Sequence, residues 1–98
     1  MSDLLARALE AIRAKQPEAR ALGIELLGVV GSVARGEERP DSDVDVAYDW
    51  LSEDATYWEL GGLLVDLSRA VGRRVGMVNP NRLKPEQRRY MLDHLVAV

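Results

Sequence analysis

The chain has 98 residues, 13 Lys and Arg against 16 Asp and Glu, a net charge of −3 and 47% apolar content, the composition of one globular domain spanning 1–98 without room for a second. The absence of cysteine excludes a disulfide scaffold, a thiolate zinc site and a cysteine nucleophile, and it leaves the redox compartment open. The mildly acidic balance carries no signal for direct nucleic-acid binding. The start Met1-Ser2-Asp3-Leu4-Leu5-Ala6-Arg7 has no basic region followed by an apolar run, and no stretch approaches the ~20 apolar residues of a membrane span, so a soluble, unexported, cytoplasmic chain is expected.

Between Leu4 and Leu22 the positions Leu5, Ala8, Leu9 and Ile12 follow a helical period, with Ser2 or Asp3 as the cap, Gly23 as the stop and Pro17 dividing the helix near its end. Ile24 to Val30 is a short apolar run that suits a strand covered on both faces, and it ends at Gly31-Ser32. The polar segment Ser32 to Ser42 reads as a loop with one helical turn at Ser32 to Arg35 and a bend at Gly36. Asp43 to Tyr48 alternates, placing Val44, Val46 and Tyr48 on one strand face and Asp43 and Asp45 on the other. Leu60, Leu63, Leu64, Leu67, Ala70 and Val71 then recur at helical spacing, with Ser52 as a cap and Gly72 as the stop, although Gly61-Gly62 inside the pattern disfavours a helix. Val75 to Val78 reads as a third strand, and Pro85 opens a last helix through Tyr90, Met91, His94 and Leu95. The order is that of a small α/β (α+β) layer.

Gly31-Ser32 directly after a buried strand lets backbone N–H groups and a hydroxyl approach an anion, with the start of a short helix adding a favourable dipole. Asp43 and Asp45, two apart on one strand face, are near enough to share divalent cations and too close to be stable without them. Taken singly, a Gly-Ser pair is most often a tight turn and an Asp-x-Asp a solvated strand face. Together they describe phosphoryl or nucleotidyl transfer, in which positioning and charge neutralisation do most of the work.

The stretch Gly31-Ser32-Val33-Ala34-Arg35-Gly36 followed by Ser42-Asp43-Val44-Asp45-Val46 resembles the signature of the minimal nucleotidyltransferases of the DNA polymerase β-like superfamily. The resemblance extends over nearly the whole chain and implies a small mixed sheet backed by helices, Mg²⁺ in a two-metal site, and ATP as donor of AMP to an acceptor hydroxyl. By position, it implies that Gly31 and Ser32 hold the donor's phosphates and that Asp43 and Asp45 are the catalytic metal ligands. Arg35 and Ser42 would support the loop or contact phosphate. It further implies an acceptor site supplied by a second copy or by a partner, such as the helical HEPN ribonuclease of a toxin–antitoxin pair in which this chain is the antitoxin.

One departure matters. The family's third acidic residue belongs in the stretch Val75-Gly76-Met77-Val78, where Gly76 has no side chain, and Asp49 and Glu25 are not replacements by spacing. A degenerate module that binds nucleotide or a partner without transfer is therefore the alternative, and a purely structural subunit the blandest reading. Trp50, Tyr57 and Trp58 are expected to pack at the core or its rim, and Arg73-Arg74 and Arg88-Arg89 to be solvated. His94 is expected in a surface or packing role, and the apolar tail Leu95 to Val98 is suited to packing against a neighbour.

Overall fold

A computed structural model describes residues 2–98 of the chain; Met1, the first residue of the expected domain, lies outside them. The elements in order are α1 (Asp3–Ala21), β1 (Ile24–Val30), α2 (Gly31–Ala34), β2 (Val44–Trp50), α3 (Tyr57–Val71), β3 (Val75–Val78), a 3-10 turn (Pro80–Arg82), α4 (Pro85–Asp93) and β4 (Val96–Ala97). They build a four-stranded mixed sheet in the order β3-β2-β1-β4. β2 and β3 run parallel, joined by the α3 crossover, and β1 pairs antiparallel with both β2 and β4.

The core forms where α1 and α3 lay their apolar faces on one side of the sheet. Leu5, Ala8, Leu9 and Ile12 from α1 and Leu60, Leu63, Leu67 and Val71 from α3 meet Val44, Val46 and Tyr48 of β2, all buried. Alternation along β2 consequently turns Asp45, Ala47 and Asp49 to the opposite face. That second face has no comparable helical layer, since α4 buries none of its residues. The site stands on it.

Local chemistry explains the helix boundaries. Ser2 caps α1 by accepting from the Leu5 N–H at 3.1 Å. The helix runs unbroken through Pro17, contrary to the expected division; the imino nitrogen removes one hydrogen bond on the exposed side, which the buried α1 contacts outweigh. The cap of α3 is Thr56 rather than Ser52. Thr56 and Glu59 form a reciprocal capping box, while Ser52 Oγ accepts from the Asp54 N–H in the preceding turn. The helix continues through Gly61 and Gly62, carried by its buried leucine face.

Gln16 is the one buried α1 side chain with a polar task. Its amide donates to the Leu26 carbonyl at 2.7 Å and accepts from the Leu26 N–H at 2.9 Å, closing the part of the β1 edge that β4 does not reach. Along the same edge, residues 96–97 of the C-terminal tail form β4 against Gly28 and Val29 of their own chain. Gly28 permits this approach, because a Cβ there would collide with the Val96 carbonyl oxygen. No helix among the described residues is long and apolar enough to cross a membrane.

Candidate active site

The sheet register aligns three positions on one line. Val30, the last residue of β1, pairs with Asp45 of β2, and Asp45 pairs with Gly76 of β3. Gly31 follows Val30 directly, so the Gly31-Ser32 turn, the half-buried Asp45 carboxylate and Gly76 converge at the same end of the sheet. β2 begins one residue later than expected, at Val44, whose N–H donates to the Arg74 carbonyl at 2.9 Å; Asp43 is therefore an exposed residue at the mouth of the strand.

Asp45 lies between two glycines. A Cβ on Gly31 would stand 2.5 Å from Asp45 Oδ2, and one on Gly76 would stand 3.1 Å from Asp45 Oδ1. Gly31 also holds φ at +76°, a left-handed backbone that side chains disfavour. The tight turn out of β1 thus exists only because residue 31 lacks a side chain, and the space it leaves is filled by the Asp45 carboxylate. Ser32 is half-buried in the first turn of α2, which no side chain caps. A helix of four residues adds little dipole, which leaves the first-turn N–H groups themselves as what this turn offers an anion.

Arg35 and Ser42 shape the loop between these parts. Arg35 Nε pairs with Glu37 Oε2 at 3.2 Å. Ser42 closes a turn with Arg39: its hydroxyl accepts from the Arg39 N–H at 2.8 Å and its own N–H donates to the Arg39 carbonyl at 3.0 Å. Arg73 Nη1 donates to the Ser42 carbonyl at 2.9 Å, tying the loop to the turn before β3. These are the contacts of loop support.

Burial pushes the Asp45 carboxyl above the usual carboxylate range; the neighbouring Asp43 charge pushes the same way and Arg35 partly offsets them. The Asp43 charge beside the half-buried Asp45 carboxylate is a repulsion that a cation would relieve. Among the described residues, no three His, Cys, Asp or Glu side chains group so as to hold a metal. Two carboxylates nevertheless fit a Mg²⁺ that keeps several waters and shares its remaining coordination with nucleotide phosphates. Glu86 is a further acid beside the site, on the wall of the cavity that Gly31 and Arg35 line, whereas Asp49 and Glu25 lie at the opposite end of β1 and β2 and are engaged there. Asp49 accepts from the Trp50 N–H at 2.8 Å, from Asn79 Nδ2 at 3.3 Å and from Asn81 Nδ2 at 2.7 Å, and Glu25 pairs with Arg20 Nε at 2.9 Å.

Two cavities meet at this site. One of about 290 Å³ is lined by Val30, Gly31, Asp45, Gly76 and Met91, and one of about 460 Å³ by Gly31, Arg35, Gln87, Tyr90, Met91 and His94. Tyr90 and His94 stack with ring centroids 4.4 Å apart. Neither residue belongs to the motif that the sequence points to; their i, i+4 spacing is the signal that sets them side by side. The other aromatic cluster lies elsewhere: a cavity lined by Trp50, Tyr57 and Arg82 opens at the far end of β2. Trp50 packs edge-on between Tyr48 and Tyr57 as expected, with centroid separations of 5.3 Å, whereas Trp58 is 90% exposed and does not pack.

The chain is similar to known proteins over nearly its whole length. A family model described as a nucleotidyltransferase domain matches residues 5–98. A solved structure described as that of a "putative minimal nucleotidyltransferase" superposes with a TM-score of 0.70 at 32% identity, covering 92% of this chain and 95% of that one. No curated protein matches.

Proposed function

Because this chain belongs to the nucleotidyltransferase domain family, we propose that it is a magnesium-dependent nucleotidyltransferase that moves AMP from ATP to a hydroxyl of a partner protein. The observation that supports this reading most is Asp45 held between Gly31 and Gly76, which sets a carboxylate against the phosphate cradle. In this scheme the N–H groups at Gly31 and Ser32 receive the triphosphate and Arg35 sets a positive charge beside it. Asp43 and Asp45 hold Mg²⁺. Bound with the nucleotide, the ion supplies charge neutralisation and electrophilic activation of the phosphate. The acceptor oxygen bonds to the α-phosphorus, the α–β phosphoanhydride bond breaks, pyrophosphate leaves, and the hydroxyl proton passes to water. The acceptor we propose is a HEPN-type helical protein, with this chain as the antitoxin of the pair, a suggestion carried by the family resemblance.

A second reading is favoured by one observation: position 76, in contact distance of Asp45, carries no acid, so the ligand set has two carboxylates. On that reading the chain binds Mg-ATP without transferring AMP. Label from α-phosphate-labelled ATP, followed into macromolecules of a native lysate with Mg²⁺, separates the two. Labelling by the unmutated chain and none by the Asp43→Asn, Asp45→Asn double variant is the expected result. Equal labelling by both would refute transfer at these carboxylates. A rise in Tm with Mg-ATP but no label would favour the binding module.

A further inference from the structure

The cavity beside the phosphate cradle has a second, aromatic end. It runs from Gly31 and Arg35 to Tyr90 and His94 and measures about 460 Å³, enough to enclose a nucleoside. Its far wall is α4, a helix that buries none of its own residues although it lies over the open face of the sheet. Tyr90 is 55% exposed and stacks on His94 at 4.4 Å with a 37° tilt, while the His94 ring nitrogen Nδ1 lies 2.9 Å from the Tyr90 carbonyl. A ring pair braced in this way, half open to a cavity, is a stacking platform with one face in use. Gln87, on the same wall, offers an amide that can both donate and accept.

We propose that the Tyr90–His94 face of α4 is the donor nucleoside subsite, stacking the base of a nucleoside triphosphate whose phosphates lie at Gly31 and Arg35. The inference rests on the proposed nucleotidyl-transfer reading and names where that reading's substrate places its base. Continuity decides between donor and acceptor: Gly31 and Arg35 line the same cavity as the ring pair, so one molecule spans cradle and platform. The base gains stacking area, and α4 gains the apolar partner it lacks within the chain.

Titration calorimetry in the presence of Mg²⁺, with ATP and inorganic tripolyphosphate as the two probes, tests this on the unmodified chain, Tyr90→Ala and Tyr90→Phe. The unmodified chain is expected to bind ATP at least about tenfold more tightly than tripolyphosphate, the scale of one base–aromatic stack. Tyr90→Ala is expected to remove most of that difference while leaving tripolyphosphate affinity within about twofold, and Tyr90→Phe to retain it. Equal ATP affinity in the unmodified chain and Tyr90→Ala would overturn the subsite, as would equal weakening of both probes. If the unmodified chain binds tripolyphosphate as well as ATP, the subsite fails while the phosphate cradle stands. If it binds neither, the nucleotidyl-transfer reading fails with it. Tyr90 is half-exposed on a helix with no buried residue, so folding of its variants is secure.

Discussion

Restoring an acid at position 76 tests the site's electrostatics at the point where the sequence departs from the family pattern. A Cβ there stands 3.1 Å from Asp45 Oδ1, so the Gly76→Asp carboxylate comes to about 4 Å from that of Asp45. Two such charges repel by ~4 kcal/mol at an effective dielectric constant near 20, and the open cavity alongside lets solvent halve this to roughly 2 kcal/mol. In metal-free buffer Gly76→Asp is therefore expected to lower Tm by about 10 °C for a domain of this size. Gly76→Asn, with the same bulk and no charge, should show only the steric part. Magnesium reverses the penalty if the three carboxylates share a cation. Recovery of ~2 kcal/mol at about 10 mM Mg²⁺ corresponds to a dissociation constant on the order of 0.3 mM. Label transfer from ATP should rise in the same variant. A Tm depressed equally with and without Mg²⁺ would refute the shared site, and an unchanged Tm in metal-free buffer would refute the contact with Asp45.

Two further substitutions probe the same carboxylate from other sides. The raised Asp45 pKa means that its ionisation destabilises the folded chain above the folded pKa, and that this loss vanishes as pH falls below the unfolded value. Asp45→Asn should accordingly raise Tm at pH 7, lose that advantage only as pH falls below about 4, and abolish transfer; a Tm gain independent of pH would contradict the assignment. Gly31→Ala must hold φ at +76° at a cost of about 1–2 kcal/mol. Because its Cβ would press to 2.5 Å on Asp45 Oδ2, it should also weaken Mg-ATP binding in calorimetry beyond what its stability loss explains.

Periodicity and turn chemistry placed the elements because they are local signals. The leucine spacing of α3, the alternation of β2 and Gly31 at the end of β1 are each written within a few residues. The parts that were not legible depend on distant partners. β4 has two residues and no strand pattern of its own, and it exists because Gly28 lets the chain return against β1. Gln16 looks like any polar position on a helix until the exposed edge of Leu26 supplies both of its partners. Trp58 broke the aromatic grouping because the helix turns it away from Trp50 and Tyr57. Of the candidate site, Gly31, Ser32, Asp43 and Asp45 stand out from adjacent residues alone. The α4 wall is hinted at only by the i, i+4 spacing of Tyr90 and His94, because its place beside Gly31 and Arg35 depends on residues far away in the chain.

The same geometry bears on why position 76 can lack an acid without collapse of the site. With glycine at both 31 and 76, Asp45 reaches across the full width between β1 and β3, one oxygen toward each neighbour. A side chain on β3 would have to displace that carboxylate by a few tenths of an ångström. On the proposed reading, the glycine removes a ligand and, by the same absence, lets the half-buried Asp45 take a central position. Burial then makes that single charge costly and raises its pKa, which increases its demand for a cation brought in with the phosphates. A site with two carboxylates and a nucleotide that supplies the rest of the coordination should hold magnesium weakly alone and well with ATP. That coupling, measured as the fold-increase in Mg²⁺ affinity on adding ATP, is what the two-glycine arrangement predicts, and equal Mg²⁺ affinity with and without ATP would contradict it.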